Sequence, residues 1–244
     1  MNYRTLIFSD THLGCKNNIS ILIKFLTENE FEYIYINGDF IDGISLQLKW
    51  NWDAQNNVLI QKLLKKARHG TKIVLTVGNH DLFLNNFKDH DMGNISIKEF
   101  TEHTTLKGER ILIFHGHILD LITKYNKFFH ILGAKLFNLA TYLSIGLSKL
   151  RYACPWIKAF SKYYSFHNVG AIEIKKFENN ACEMAKLKGF TSVLVSHFHH
   201  PDVKEIDGIK YYNSGNCVDR ADCIIETVHG DMKLLDLFTK TANF

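Results

Sequence analysis

The chain has 244 residues and a mass of 28.2 kDa, a length for one large domain or one domain carrying an insertion. Hydrophobic residues make up 46% and charged residues 22%, which excludes a disordered chain, a collagen and a low-complexity polymer. The net charge is only +4, but residues 118–168 hold seven basic residues against the single acid Asp120, so that stretch carries +6 and the remainder −2.

In chain order, an apolar run predicts a strand at 3–8, an amphipathic pattern a helix at 19–26, and a second apolar run a strand at 33–36. A helix at 58–67 and strands at 72–77 and 110–114 follow. This alternation of strand and helix points to an α/β fold. After the basic stretch a helix is expected at 171–187, with Gly189 as its stop, and then a short buried strand at 192–195. The pattern then changes. Strands at 203–206 and 209–212 flank Asp207-Gly208, and strands at 223–228 and 232–237 flank His229-Gly230-Asp231, so two hairpins are expected. The chain begins as α/β and ends as antiparallel β, without an internal repeat or linker. It is expected to form one domain over 1–244, with residues 118–170 as a helical insertion.

Five cysteines, at 15, 154, 182, 217 and 223, form no CxxC pair. The odd count suits a reducing compartment rather than a disulfide scaffold or zinc ribbon. The N-terminal residues read as a first strand and not as a signal peptide, so the expected location is the cytoplasm. Thirteen histidines beside three tryptophans and two prolines raise the expectation of metal chemistry.

Five predicted strands end alike. Leu6-Ile7-Phe8 leads into Ser9-Asp10-Thr11-His12, and Ile34-Tyr35-Ile36 into Asn37-Gly38-Asp39-Phe40-Ile41-Asp42. The third strand leads into Gly78-Asn79-His80-Asp81, the fourth into His115-Gly116-His117, and the fifth into Ser196-His197-Phe198-His199-His200. The carboxyl ends of strands line the ligand crevice of α/β sheets. Taken singly, a Gly-Asp is a turn, Asn-His-Asp a helix cap, and a His pair a surface feature. Five such ends in one chain are not explained as caps. Carboxylate, imidazole and amide oxygen without thiolate suit Mn, Fe or Zn. Seven candidate donors exceed the needs of one four-coordinate zinc and suit two ions sharing a carboxylate, about 3.5–4 Å apart. Such a pair lowers the pKa of a bridging water and clamps a phosphoryl oxygen, so the residues point to metal-assisted phosphoester hydrolysis.

In this order, D-x-H, G-D-x-x-D, G-N-H-D, H-G-H and H-x-H resemble the calcineurin-like metallophosphoesterases. The resemblance covers the chain apart from residues 118–168. It implies an α/β (α+β) sandwich of two mixed β-sheets flanked by helices, with two metal ions at one edge. By motif, Asp10, His12, Asp39 and His199 would hold one ion, and Asp39, Asn79, His115 and His197 the other, Asp39 bridging. His80 would contact the phosphate and stabilise developing charge or the leaving group. Asp81 would orient His80, and Asp42 would support its loop.

Within that superfamily the chain is most similar to the UDP-2,3-diacylglucosamine pyrophosphatases. The likeness rests on Ser9-Asp10-Thr11-His12-Leu13-Gly14, Gly78-Asn79-His80-Asp81, the tail Tyr212-Asn213-Ser214-Gly215-Asn216-Cys217-Val218-Asp219, and an insertion after the H-G motif. It implies cleavage of a UDP-linked diacyl sugar in lipid A biosynthesis to UMP and 2,3-diacylglucosamine 1-phosphate, by water attack on the α-phosphorus. The implied metal is manganese, with iron or zinc as alternatives. Three positions depart from the family pattern: His117 replaces an aspartate, Ser196 a glycine, and Cys217 a frequent tryptophan. None is a predicted ligand.

Residues 128–147 approach the length needed to span a bilayer, about 20 residues, but include His130, Lys135, Asn138 and two glycines. Leu132, Leu136, Leu139, Leu143 and Leu147 form one helical stripe. The stripe either packs on the core or, with its basic surroundings, caps acyl chains and rests on an anionic membrane surface. On the second reading Leu132, Leu136, Leu139 and Leu143 contact lipid, and Arg151, Lys158 and Lys162 contact diphosphate or uridine. The enzyme would then be peripheral on the inner face of the cytoplasmic membrane. Nucleic acid is not an expected partner, because the body is slightly acidic and the basic excess is interleaved with leucines. A phosphodiesterase acting on soluble nucleotides and a non-catalytic scaffold are the competing readings.

Overall fold

A computed structural model describes residues 3–119 and 171–241. The chain divides into one unit formed by residues 1–117 and 178–244 and a second formed by residues 118–177. The helical insertion expected at 118–170, with its leucine stripe and basic residues, lies almost wholly outside the described residues.

The first unit holds two sheets. The seven-stranded sheet has the order β12-β11-β1-β2-β3-β5-β4. Its members are β1 (Tyr3–Phe8), β2 (Tyr33–Asn37), β3 (Lys72–Thr76), β4 (Asp91–Met92), β5 (Ile95–Lys98), β11 (Asp222–Thr227) and β12 (Met232–Asp236). Strands β1, β2, β3 and β5 run parallel, while β11, β12 and β4 pair antiparallel to their neighbours. The five-stranded sheet has the order β6-β7-β8-β10-β9, from β6 (Thr101–Thr104), β7 (Arg110–Ile113), β8 (Ser192–Val195), β9 (Asp202–Ile206) and β10 (Ile209–Asn213). The two expected hairpins form, but they enter different sheets, and β10 also lies parallel to β8. The ending is therefore mixed rather than purely antiparallel.

Side chains alternate across each strand. Leu6, Phe8, Ile34, Ile36, Cys223 and Ile225 join one core cluster with α1 (Ser20–Glu28) and α3 (Ala54–Arg68), which supply Leu22, Phe25, Leu26, Leu59 and Leu63. Ile7, Tyr35 and Ile224 point the other way and pack with Ile111, Ile113, Leu194 and Tyr212 of the second sheet. Strands buried on both faces read as unbroken apolar runs, which is why these were visible in the sequence. The short α2 (Gly43–Leu48) buries none of its residues. On the second sheet, Glu178 of α4 (Ala171–Leu187) pairs with Lys204 of β9 at 2.7 Å. The chain closes with α5 (Leu237–Thr241). Among the described residues no helix is long and apolar enough to cross a membrane.

Candidate metal centre

The parallel strands β1, β2 and β3 of one sheet and β7 and β8 of the other all deliver their carboxyl-end loops to one edge. The loops after β1 and β2 are zipped together: Asp10 N donates to Gly38 O at 3.1 Å, His12 N to Asp39 O at 3.0 Å, and Leu13 N to Phe40 O at 2.9 Å. Five residues there have left-handed backbones: Asp10, His12, Asp39, His197 and His199, with φ from 43° to 73°. Each costs roughly 1–3 kcal/mol and persists where the surroundings over-determine it. Strain concentrated on five predicted ligands is the mark of a functional edge.

The side chains converge. Ligand atoms of Asp10, His12 and His199 lie within 4.8 Å of one another, as do those of Asp39, His115 and His197. Asp39 belongs also to a third group with His12 and His80. Its Oδ1 accepts from His80 N at 2.8 Å, while Oδ2 lies 3.3 Å from His115 Nε2 and 3.7 Å from His12 Nε2. The carboxylate thus stands between the two donor sets, as a bridge requires. His199 Nε2 lies 3.1 Å from Asp10 Oδ1.

The donor set fits divalent ions on an independent ground. Asp10 Oδ2, His12 Nε2, Asn79 Oδ1 and His115 Nε2 are buried and accept or donate no hydrogen bond. A buried polar atom without a partner costs about 1–3 kcal/mol, and four of them aimed at one edge call for a cation. The electrostatics agree. Burial alone would raise the Asp10 carboxyl, but His199 and His115 hold it below its ordinary value. Burial opposes charge on His115, but Asp39 and Asp10 push its pKa up to about 10. The same negative field attracts a metal cation. Partial burial, with His115 and His197 alongside, pushes the half-buried His117 down to about 3.

Two glycines make the close approach possible. A Cβ at Gly78 would stand 2.1 Å from Asp39 Oδ1, and one at Gly38 would stand 2.4 Å from the His115 ring.

One expectation is corrected. Asp81 does not orient His80: its Oδ1 accepts from Gly78 N at 2.6 Å and its Oδ2 from Phe40 N at 2.8 Å, tying the two loops together. Burial and the Asp39 charge push its pKa up to about 6. The carboxylate beside His80 is Asp42, whose Oδ2 lies 3.1 Å from His80 Nδ1 and 3.1 Å from His12 Nδ1. Its Oδ1 caps α2 by accepting from Ser45 N at 2.7 Å. Asp42 therefore does more than support its loop. Burial opposes charge on His80, but Asp42 and Asp39 outweigh it and raise its pKa. Arg151, Lys158, Lys162, Leu132, Leu136, Leu139 and Leu143 lie outside the described residues.

A sequence model of the calcineurin-like phosphoesterases matches residues 3–225. No curated protein matches the chain significantly. Among solved structures, the chain is similar to an archaeal phosphodiesterase, with 16% identity, 97% of this chain and 99% of that one covered, and a TM-score of 0.46. It is also similar to Yfce, a phosphoesterase from E. coli, at 12% identity, covering 97% and 100%, with a TM-score of 0.46. Vps29 of Chaetomium thermophilum is similar at 9% identity, covering 96% and 94%, with a TM-score of 0.48.

Proposed function

Because the chain belongs to the calcineurin-like phosphoesterase family, we propose that its phosphoester hydrolysis is directed at the diphosphate of UDP-2,3-diacylglucosamine, releasing UMP and 2,3-diacylglucosamine 1-phosphate. The observation that carries the hydrolytic chemistry is Asp39 shared between two donor groups at the sheet edge. Asp10, His12, Asp39 and His199 would hold one divalent ion, and Asp39, Asn79, His115 and His197 the other. When bound, such a pair supplies Lewis-acid polarisation of phosphoryl oxygen and a water nucleophile active at neutral pH.

The chain's own part centres on His80. Asp42 steadies the ring at Nδ1 and raises its pKa. The imidazole would then give a hydrogen bond, or the proton itself, to the oxygen on which charge develops as the P–O bond breaks. The loops carrying Asp42 and Asp81 continue directly into apolar surface. Ile44 and Leu48 of α2, and Leu82 and Phe83 after Asp81, are exposed. The two segments meet: Gly43 N donates to His80 O at 3.0 Å, and a Cβ at Gly43 would lie 3.0 Å from the Phe83 ring. An apolar rim beside a phosphoester site suits a substrate with an acyl portion. So does the basic, leucine-striped stretch at 118–168, whose composition suits peripheral contact with an anionic membrane; manganese is the metal this reading expects.

The test is UMP release from UDP-2,3-diacylglucosamine by the Mn-loaded protein, beside a chelated control and a generic phosphodiester. Metal-dependent release well above the generic rate supports the assignment. Generic diesterase activity without UMP release refutes the lipid substrate and returns the choice to another phosphodiester, such as a soluble nucleotide.

A further inference from the structure

Behind the ligands lies a second layer of polar groups that the hydrolytic reading does not use. Thr76 ends β3, Asn37 ends β2, and Ser196 follows β8. With His115 after β7, they are all at most 1% exposed. Water therefore cannot replace any bond among them.

The bonds have fixed senses. The Asn37 carbonyl oxygen can only accept, and it receives His115 Nδ1 at 2.9 Å and Ser196 Oγ at 2.8 Å. The Nδ1 atom of His115 must carry a proton, so Nε2 is the nitrogen left to give a lone pair once a cation displaces its proton. That Nε2 is the atom without a hydrogen bond, 3.3 Å from Asp39 Oδ2. Ser196 Oγ also lies 2.9 Å from His115 Nδ1, sharing its proton with the carbonyl. Asn37 Nδ2 donates to Ser196 Oγ at 3.2 Å and to Phe114 O at 3.0 Å. Thr76 Oγ1 donates to Asn37 Oδ1 at 2.7 Å and so fixes the amide's orientation. The other acceptor near the Ser196 hydroxyl, the His115 carbonyl, is longer at 3.2 Å.

From this we infer that Ser196, with Asn37 and Thr76, is a positioning residue for the metal centre: a clasp that joins the two sheets and presents His115 Nε2 to the ion shared with Asp39. Asn37 and Thr76 belong to the seven-stranded sheet, and Ser196 and His115 follow strands of the five-stranded one. The clasp holds Asp39 and His115, which come from different sheets, at ligating separation before any ion arrives. Its side-chain bonds end on His115, which belongs to only one of the two donor sets, and none reaches the shared Asp39 carboxylate. Asp10 and His12 are steadied instead by the zipped loops, with Asp42 at His12 Nδ1, and His199 lies against Asp10.

The inference rests on the two-ion reading, and the experiment separates their failures. Mn2+ affinity is measured by chelator competition on the full wild-type chain and on Ser196→Ala, with thermal unfolding of both metal-free proteins. Wild-type protein that binds fewer than two ions defeats the two-ion reading itself. Given two ions in wild type, the clasp predicts that Ser196→Ala weakens one of them by about 10–100-fold, the cost of removing a ligand's outer partner. The other should stay within about threefold, and saturating Mn2+ should restore most of the rate on a generic phosphodiester. Two unchanged affinities, or two affinities lowered equally with a lower melting temperature, overturn the positioning role. Should Ser196→Ala fail to fold, Thr76→Val carries the test, since it removes the hydroxyl that orients Asn37 at nearly equal volume. It predicts the same selective loss in smaller measure, and no loss overturns the clasp.

Discussion

Replacing Gly78 by alanine tests how closely the bridging carboxylate is seated. Gly78 does not have a left-handed backbone, so alanine brings no φ penalty, and the whole effect is one of space. The new Cβ would stand 2.1 Å from Asp39 Oδ1 and 2.4 Å from Asp39 N, against the 3.0 Å that real Cβ contacts keep. Relief therefore needs a shift of about 0.9 Å in the carboxylate. The backbone cannot easily follow, because Asp39 O already accepts from His12 N and Asp39 Oδ1 from His80 N. Overpacking of this kind costs about 1–3 kcal/mol, partly offset by about 0.4–1 kcal/mol from the stiffer unfolded chain. A net loss of about 1–2 kcal/mol lowers the melting temperature by about 2–8 °C for a chain of this length. The functional loss should be larger, because misplacing a reacting group by about 1 Å costs on the order of 10²-fold in rate. Mn2+ affinity and hydrolysis of bis-p-nitrophenyl phosphate are the assays. Gly70→Ala, which has nothing within 4 Å of the new atom but strains a backbone at φ +101°, is the control for lost stability without a change at the site. If Gly78→Ala keeps wild-type metal affinity and a rate within threefold, the close seating of Asp39 is wrong.

Two further outcomes are expected. Asp39→Asn should lose both metal binding and turnover, whereas His80→Ala should keep both ions while its rate falls by about 10²–10⁴-fold; metal content and rate measured on the same samples check this, and wild-type rates in both variants would refute the site. Far from the metals, Glu226 accepts from Thr5 Oγ1, His103 Nε2, Arg4 Nη1 and Leu106 N. Burial would raise its pKa, but His103, the Leu106 amide and Thr5 lower it from 4.5 to about 2. A carboxylate depressed in the folded state contributes stability that is full above about pH 4.5 and lost as pH falls through about 2. Urea unfolding of wild type and Glu226→Gln between pH 7 and pH 2 should show the wild-type advantage shrinking over that window, and a constant difference would contradict the assignment.

The strands, and the residues that converge beyond their ends, were legible for one reason. Strands such as Leu6-Ile7-Phe8 and Ile34-Tyr35-Ile36 are buried on both faces, so each reads as an apolar run that stops abruptly at its polar loop. By contrast α2 buries nothing, and β4 has two residues, so neither leaves a periodic trace. The partner of His80 was misread because Asp81 is its neighbour in sequence, while the turn at Gly78 sends that carboxylate back to two backbone amides. Asp42, distant in sequence, reaches the ring instead. Ser196 stood out only as a departure from a pattern. Its bond to His115 depends on the two sheets meeting, which no local pattern encodes. Polar Asn37 and Thr76 closing otherwise apolar strands were the available signal.

Two divalent ions at this edge are expected to carry phosphodiester hydrolysis. The direct measurement is metal content and bis-p-nitrophenyl phosphate hydrolysis on the same sample of chelator-stripped protein, as Mn2+ is added back. The stripped protein should be inactive, and the rate should rise until two equivalents are bound. Full activity without metal, or a single equivalent that restores the whole rate, would contradict that expectation.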